Sequence, residues 1–113
     1  MALKDVIEAT FATSRTYEIF IGGPVEECAR ICARYFADRG GCVSIDRTEF
    51  VYTGGREAGC VVRFINYPRF PKEGHALGVE AVELAQHLMV EMGQGSCSLQ
   101  GPEQTVFLSR RAS

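Results

Sequence analysis

The sequence lacks the features that would assign it directly to several large classes of protein. Its longest apolar run is too short to cross a bilayer, and residues 1–5 are not followed by the apolar segment of a secretory signal. Only two of its twelve basic residues are lysines, and its formal net charge is −2, which argues against non-specific binding to long nucleic acid. We therefore expect one soluble cytoplasmic domain with neither a membrane nor long nucleic acid as partner.

Motifs for metal binding and catalysis are also missing. The five cysteines are odd in number and include no Cys-x-x-Cys pair, and His75 and His87 stand twelve residues apart. Neither a Walker loop nor a nucleophile elbow occurs. The pattern predicts reduced thiols, no metal, no cofactor and no enzymatic activity, with a small enzyme as the weakest alternative.

Hydrophobic periodicity predicts an α+β fold. Alternation favours strands and 3.6-residue spacing favours helices, which places strands over 17–21, 42–53, 60–67, 96–100 and 104–109, and helices over 24–39 and about 73–92. Leu3, Val6, Ile7 and Phe11 indicate a short N-terminal helix or an arm. A phase change near Asp46–Arg47 predicts a bulge, and residues 54–59 read as a glycine-rich turn.

This order of elements is typical of a ferredoxin-like βαββαβ arrangement with an added C-terminal hairpin. We expect an antiparallel sheet with two helices on one face, in a single domain over 1–113 with an arm at 1–15, a core at 16–109 and a loose tail at 110–113. Phe20 falls on the uncovered face. An uncovered face or edge favours a homo-oligomer.

Two glycine-rich turns are candidate binding sites. Gly22-Gly23-Pro24 precedes the first helix, where free N–H groups and the helix dipole favour an anion. Glu26 and Glu27 oppose that interpretation, and a simple strand-to-helix turn is the alternative. In the second turn Arg56 could close over a phosphate, or form an ion pair in an ordinary hairpin.

The segment Asn66-Tyr67-Pro68-Arg69-Phe70-Pro71 is the third candidate. Two prolines fix its backbone while an amide, two aromatic rings and an arginine stand close together. Such a set can stack and hydrogen-bond a base, or form the hot spot of a protein interface. A rigid loop packed under the sheet edge explains the prolines equally well.

Residues 48–59 and 65–71 resemble small, mostly uncharacterised proteins encoded in bacteriophage and prophage genomes. A weaker similarity, in architecture alone, is to the anti-Thoeris type of phage anti-defence sponge. Together these resemblances imply a non-enzymatic oligomer that sequesters a phosphorylated (cyclic) nucleotide signal in the host cytoplasm. The alternative is a phage inhibitor that binds a host protein, as anti-CRISPR proteins do.

The sequence thus predicts a set of ligand-binding residues drawn from all three candidate segments and the C-terminal tail. They are Gly22, Gly23, Arg56, Asn66, Tyr67, Arg69, Phe70 and Arg110.

Overall fold

The computed structural model describes residues 5–110. Five strands and two helices occur in this part of the chain. They are β1 (Thr16–Gly22), α1 (Val25–Arg39), β2 (Ser44–Tyr52), β3 (Gly55–Ile65), α2 (Ala76–Glu91), β4 (Ser96–Gln100) and β5 (Thr105–Ser109).

The strands form one antiparallel sheet in the order β2-β3-β1-β4-β5. This is the strand order of a ferredoxin-like βαββαβ unit, with β5 added beside β4. The predicted fold class is therefore confirmed. Because the central strand β1 runs antiparallel to both neighbours, its C-terminal end lies beside the middle of β3 and near the start of β4.

The two helices cover one face of the sheet, and the core lies between these layers. Ile19 and Ile21 of β1, with Val62 and Phe64 of β3, are at most 1% exposed and belong to this core. Phe20, between the two isoleucines, points to the other face, as alternation requires. From α2 the buried residues are Leu77, Ala81, Leu84, Ala85, Leu88 and Met89, and Met92 packs against the core while remaining partly exposed.

The β2–β3 hairpin differs from the prediction. Its register is continuous from Ser44↔Arg63 to Tyr52↔Gly55, so the expected bulge is absent, and most of the predicted turn over 54–59 is strand. The apolar residues of β2 change from one face of the sheet to the other because the outer part of the hairpin extends past the helices. There Phe50 turns to the opposite face and packs on Gly59, while Ile45 still packs against the core.

The N-terminal segment is an arm, since residues 5–15 form no helix. Residues 1–4 and 111–113, which include Leu3 and most of the predicted loose tail, lie outside the described residues. The second helix begins at Ala76 rather than near Glu73, because residues 67–75 form turns that include Gly74 at φ +57°.

Four of the five cysteines are buried, and Cys42 is exposed. Burial raises the pKa of the Cys97 thiol to about 11. The pKa of Cys28 is raised to about 12, chiefly through its hydrogen bond with Cys32. The fold therefore keeps these two thiols protonated in a range where unfolded thiols ionise.

We expect Cys42 alone to react rapidly with a thiol-directed reagent in the folded protein, with the four others following only on unfolding. Since burial raises the pKa of Cys97 in the folded state above the ordinary 9.0, the unfolded state loses this proton first, and stability is expected to fall as pH rises from 9 towards 11. Thiol titration and urea unfolding across this range check both expectations. Rapid reaction of two or more thiols per folded chain would contradict them.

Candidate functional site

Three glycines meet where β1 ends and α1 begins. Gly22 pairs with Gly59 of β3, and the Gly23 N–H donates to the carbonyl oxygen of Ala58 at 3.0 Å. Gly23 has φ +116°, a conformation that favours glycine. The chain can therefore turn sharply here, and Gly22 and Gly59 are buried beneath side chains of neighbouring segments. We call this feature, with the side chains described next, the glycine cleft.

Two polar side chains converge on the floor of the glycine cleft. A Cβ atom at Gly22 would lie 3.1 Å from Oε1 of Gln94 and 3.3 Å from Oε2 of Glu57. Glu57 comes from the outer part of β3, whereas Gln94 comes from the turn between α2 and β4. An amide and a carboxylate from distant parts of the sequence thus approach the same point of the backbone.

Apolar groups stand beside these polar ones. The Phe50 ring lies against the Cα of Gly59, where a Cβ would collide with it, and the Met92 methyl group would lie 2.8 Å from a Cβ at Gly23. Phe50 and Met92 are both partly exposed. The cleft therefore offers a backbone floor, an aromatic ring, a thioether, an amide and a carboxylate within a short span.

The electrostatics at the start of α1 do not favour an anion. Pro24 has no N–H and α1 has no side-chain cap, while Glu26 and Glu27 occupy its first turn. Arg47 of β2 pairs with Glu26 at 2.6 Å, and this hydrogen bond lowers the pKa of the Glu26 carboxyl. With Glu57 exposed nearby, the end of the sheet carries several carboxylates, which favours a neutral or cationic ligand.

The structure divides the sequence-predicted site residues between opposite ends of the sheet. Gly22 and Gly23 lie at the end where β1 finishes. Arg56 lies on the hairpin beyond that end, paired with Glu49 at 2.7 Å, and Arg110 follows β5 there, its N–H donating to the Gly95 carbonyl oxygen. The other four follow β3 at the far end, so the eight do not form one site.

At the far end, Asn66 holds the loop that contains it. Its side-chain amide donates to the carbonyl oxygens of Thr13 at 2.9 Å and Lys72 at 3.2 Å, and its Oδ1 accepts from the Lys72 N–H at 2.8 Å. Asn66 is only 8% exposed. Its hydrogen bonds therefore close the loop over 66–72 and fix the root of the arm, and leave its amide committed within the protein.

Tyr67 and Phe70 line a pocket of about 330 Å³ beside Asn66, with their ring centroids 5.5 Å apart. The Tyr67 hydroxyl and the Cys42 thiol form a hydrogen bond that raises the pKa of Tyr67. Arg69 is exposed and does not line this pocket. Because the two rings pack against each other, they form a wall of the pocket and leave no slot for a base between them.

A larger groove of about 560 Å³ lies on the outer side of the helices. Its walls are mainly charged side chains of α1 and α2, and the Arg39 guanidinium lies 4.1 Å above the centre of the Tyr35 ring. This stacking and the exposure of Arg34 and Asp38 are typical of a solvated helix surface. Its α1 residues come from the middle and C-terminal half of that helix, and neither Gly22 nor Gly23 lines it.

Sequence reasoning identified the floor of the glycine cleft but missed Glu57 and Gln94. Glu57 falls within the predicted glycine-rich turn over 54–59, and Gln94 falls between the predicted helix over about 73–92 and the predicted strand over 96–100. The fold itself indicates these positions, because in a ferredoxin-like sheet the turn that leads into β4 lies beside the end of β1. A polar residue in that turn was therefore a candidate for the same site.

Residues 5–110 contain neither a cluster of metal ligands nor a membrane-spanning helix. No three His, Cys, Asp or Glu side chains are grouped as metal ligands in this range. Neither helix of the described chain is long and apolar enough to cross a membrane.

Two solved structures are similar to this chain over almost its whole length. One is a phage SAM lyase in complex with S-methyl-5'-thioadenosine, with 12% sequence identity and a TM-score of 0.78 over 94% of this chain and 97% of the other. A second is a phage SAM lyase in the apo state, with 14% identity and a TM-score of 0.73 over 99% of both chains. No protein-family model matches the chain, and no curated protein sequence is significantly similar to it.

These structures correct two predictions. Both similar structures are of phage SAM lyase, an enzyme, and they share this fold from end to end. The prediction of a non-enzymatic sponge is therefore wrong, and so is the prediction that the chain is not an enzyme. Similarity to phage proteins is confirmed, whereas the resemblance to an anti-Thoeris sponge has no support. One similar lyase binds a small nucleoside, and the predicted homo-oligomer stays a prediction.

Proposed function

We propose that this chain is an enzyme of the host cytoplasm that binds SAM (S-adenosylmethionine) in the glycine cleft and cleaves it to S-methyl-5'-thioadenosine. The observation that carries the proposal is the likeness to phage SAM lyase over 94% of this chain at a TM-score of 0.78. Because a shared fold does not by itself assign an activity, the groups of the cleft must also suit the substrate.

Glu57 suits the charge of SAM. The substrate carries a sulfonium cation, which an exposed carboxylate attracts and which the face of an aromatic ring such as Phe50 also stabilises. The product thioether is neutral. Glu57 therefore contributes to substrate capture and to preference for SAM over its product, rather than to stabilisation of the transition state, in which the positive charge on sulfur is already falling.

Gln94 suits the nucleoside part of the ligand. Its side-chain amide has both a donor and an acceptor, which matches the adjacent donor and acceptor on the edge of adenine. Met92 and Phe50 supply apolar surface beside it. Gly22 and Gly23 carry no side chain, which leaves room for those of Gln94, Glu57 and Met92 to lie close to the backbone at this point.

The chemistry requires no resident metal or redox group. The bond between the sulfur and Cγ of the methionine moiety breaks. Its electron pair stays on sulfur, so that the neutral thioether is the leaving group. The substrate carboxylate can attack Cγ to give a lactone, or a base can remove a Cβ proton to give an unsaturated amino acid; both routes balance without water or an oxidant. The role of the protein is then to orient the substrate and exclude water.

Incubation of the purified chain with SAM, followed by liquid chromatography and mass spectrometry, tests the proposal. We expect S-methyl-5'-thioadenosine and an equimolar four-carbon product, whose identity separates the two routes. S-adenosylhomocysteine, which is not a sulfonium, serves as the control substrate and should be stable. Absence of turnover, together with no shift of the melting temperature by S-methyl-5'-thioadenosine, would reject the proposal.

A further inference from the structure

We propose that the arm of one molecule binds the free edge of β5 in a second copy of this chain, as an added strand. Residues 5–11 of the arm are all exposed. They include Val6 at 88%, Ile7 at 90% and Phe11 at 87% exposure. Single exposed apolar side chains are common on protein surfaces, but three large ones within six residues are not. This group therefore requires a partner surface.

The pattern of the arm is that of a strand. Ile7, Ala9 and Phe11 alternate with Glu8 and Thr10, which gives one apolar and one polar side to an extended backbone. In the described chain no backbone hydrogen bond to the rest of the molecule is formed by residues 5–12. Their donors and acceptors are therefore available to another strand.

The root of the arm directs it away from its own β5. The Asn66 amide holds the Thr13 carbonyl oxygen, and the Asn66 N–H donates to the Arg15 carbonyl oxygen at 3.1 Å. Asn66 follows β3, which lies on the opposite side of β1 from β4 and β5. The attachment is thus on the wrong side of the sheet for the arm to cover the β5 edge of the same molecule.

The β5 edge is suited to receive a strand. Its five residues, Thr105–Ser109, include neither a charge nor a proline, and Phe107 is 68% exposed. Natural edge strands are usually protected by charges, prolines or bulges. The opposite edge, β2, has such protection in Asp46, Arg47 and Glu49.

Length and charge also match. Residues 6–11 can pair with all five residues of β5. Within residues 5–11 the charged side chains are the carboxylates of Asp5 and Glu8, and Arg110 follows β5 directly. Addition of a strand to a sheet edge is a common mode of recognition in which backbone hydrogen bonds provide affinity and alternate side chains provide register.

Light scattering coupled to size-exclusion chromatography, with hydrogen exchange on the same sample, tests this inference on the full chain. We expect a multimer in which amides of residues 6–11 and of β5 exchange about tenfold or more slowly than in the variant Phe11→Asp. That variant, and Phe107→Lys on the receiving strand, should shift the protein towards the monomer. Val79→Asp, at an exposed apolar position of α2 (54% exposed), is the matched control and should leave the assembly unchanged.

Either of two results would overturn the inference. One is a wild-type monomer whose arm amides exchange at the rate of an unstructured peptide. The other is a multimer that Phe11→Asp and Phe107→Lys both leave intact, which would place the contact elsewhere. SAM turnover is measured separately, so failure of the proposed activity and failure of this interface can be told apart.

Discussion

Replacing Gly22 with valine is expected to reduce kcat/KM for SAM by about 100-fold, because a displacement of about 1 Å at reacting groups has an effect of this order. A Cβ at this position would already lie 3.1 Å from the Gln94 amide oxygen and 3.3 Å from the Glu57 carboxylate. The two further methyl groups of valine would fill the floor on which the substrate is proposed to lie. Steady-state release of S-methyl-5'-thioadenosine is the measurement.

The chain offers a matched control at the same end of the sheet. A Cβ at Gly95 would meet no atom within 4 Å, so Gly95→Val should retain most of the activity. Glu57→Gln keeps the shape of the side chain but removes its charge, and should mainly raise KM. Full activity in a folded Gly22→Val protein, verified by circular dichroism, would locate the chemistry outside the glycine cleft.

The substitution Phe64→Ala is expected to lower the free energy of unfolding by about 3–5 kcal/mol. Phe64 is 1% exposed, and its ring packs edge-on against Phe36 of α1 at a centroid distance of 6.2 Å. Truncation removes apolar contacts and leaves a cavity between the sheet and the first helix. Urea unfolding at one fixed protein concentration measures the loss, which is a large part of the stability of a domain of this size.

Phe70 provides the comparison for this measurement. It is 46% exposed, and its main aromatic contact is with Tyr67, so Phe70→Ala should cost about 1 kcal/mol or less, within the range of an aromatic pair. A similar loss for the two substitutions would contradict the assignment of Phe64 to the core. It would instead show that the loop over 66–72 stabilises the domain as much as the interior does.

Local periodicity was sufficient to predict the fold. Ile19 and Ile21 alternate with residues of the uncovered face, and the buried residues of α2 repeat at helical spacing. The spacing within each element therefore indicates which side is buried. The hairpin was harder to predict, because the face that carries its apolar residues depends on how far the helices extend over the sheet. Phe50 packs on Gly59 beyond the helices, and this dependence on another layer is not visible within the strand itself.

The site was only partly predictable. Glycines at a strand end mark a place where the backbone can be approached, and Gly22 and Gly23 were identified on that ground. Glu57 and Gln94 are ordinary polar residues in the sequence, and the role proposed for them depends on the convergence of β3 and the turn before β4 on β1. For Asn66 the sequence did not reveal that its amide holds the arm and the loop.

The outer part of the β2–β3 hairpin extends past the helices, which implies that the two walls of the glycine cleft differ in stiffness. Beyond the Gly22↔Gly59 pair, the hairpin is supported by its own ladder from Glu49↔Ala58 to Tyr52↔Gly55. Glu57 and Phe50 move with that ladder, whereas Gln94 follows a helix whose buried face is anchored in the core. We therefore expect the wall formed by the hairpin to move more readily than the wall formed by Gln94.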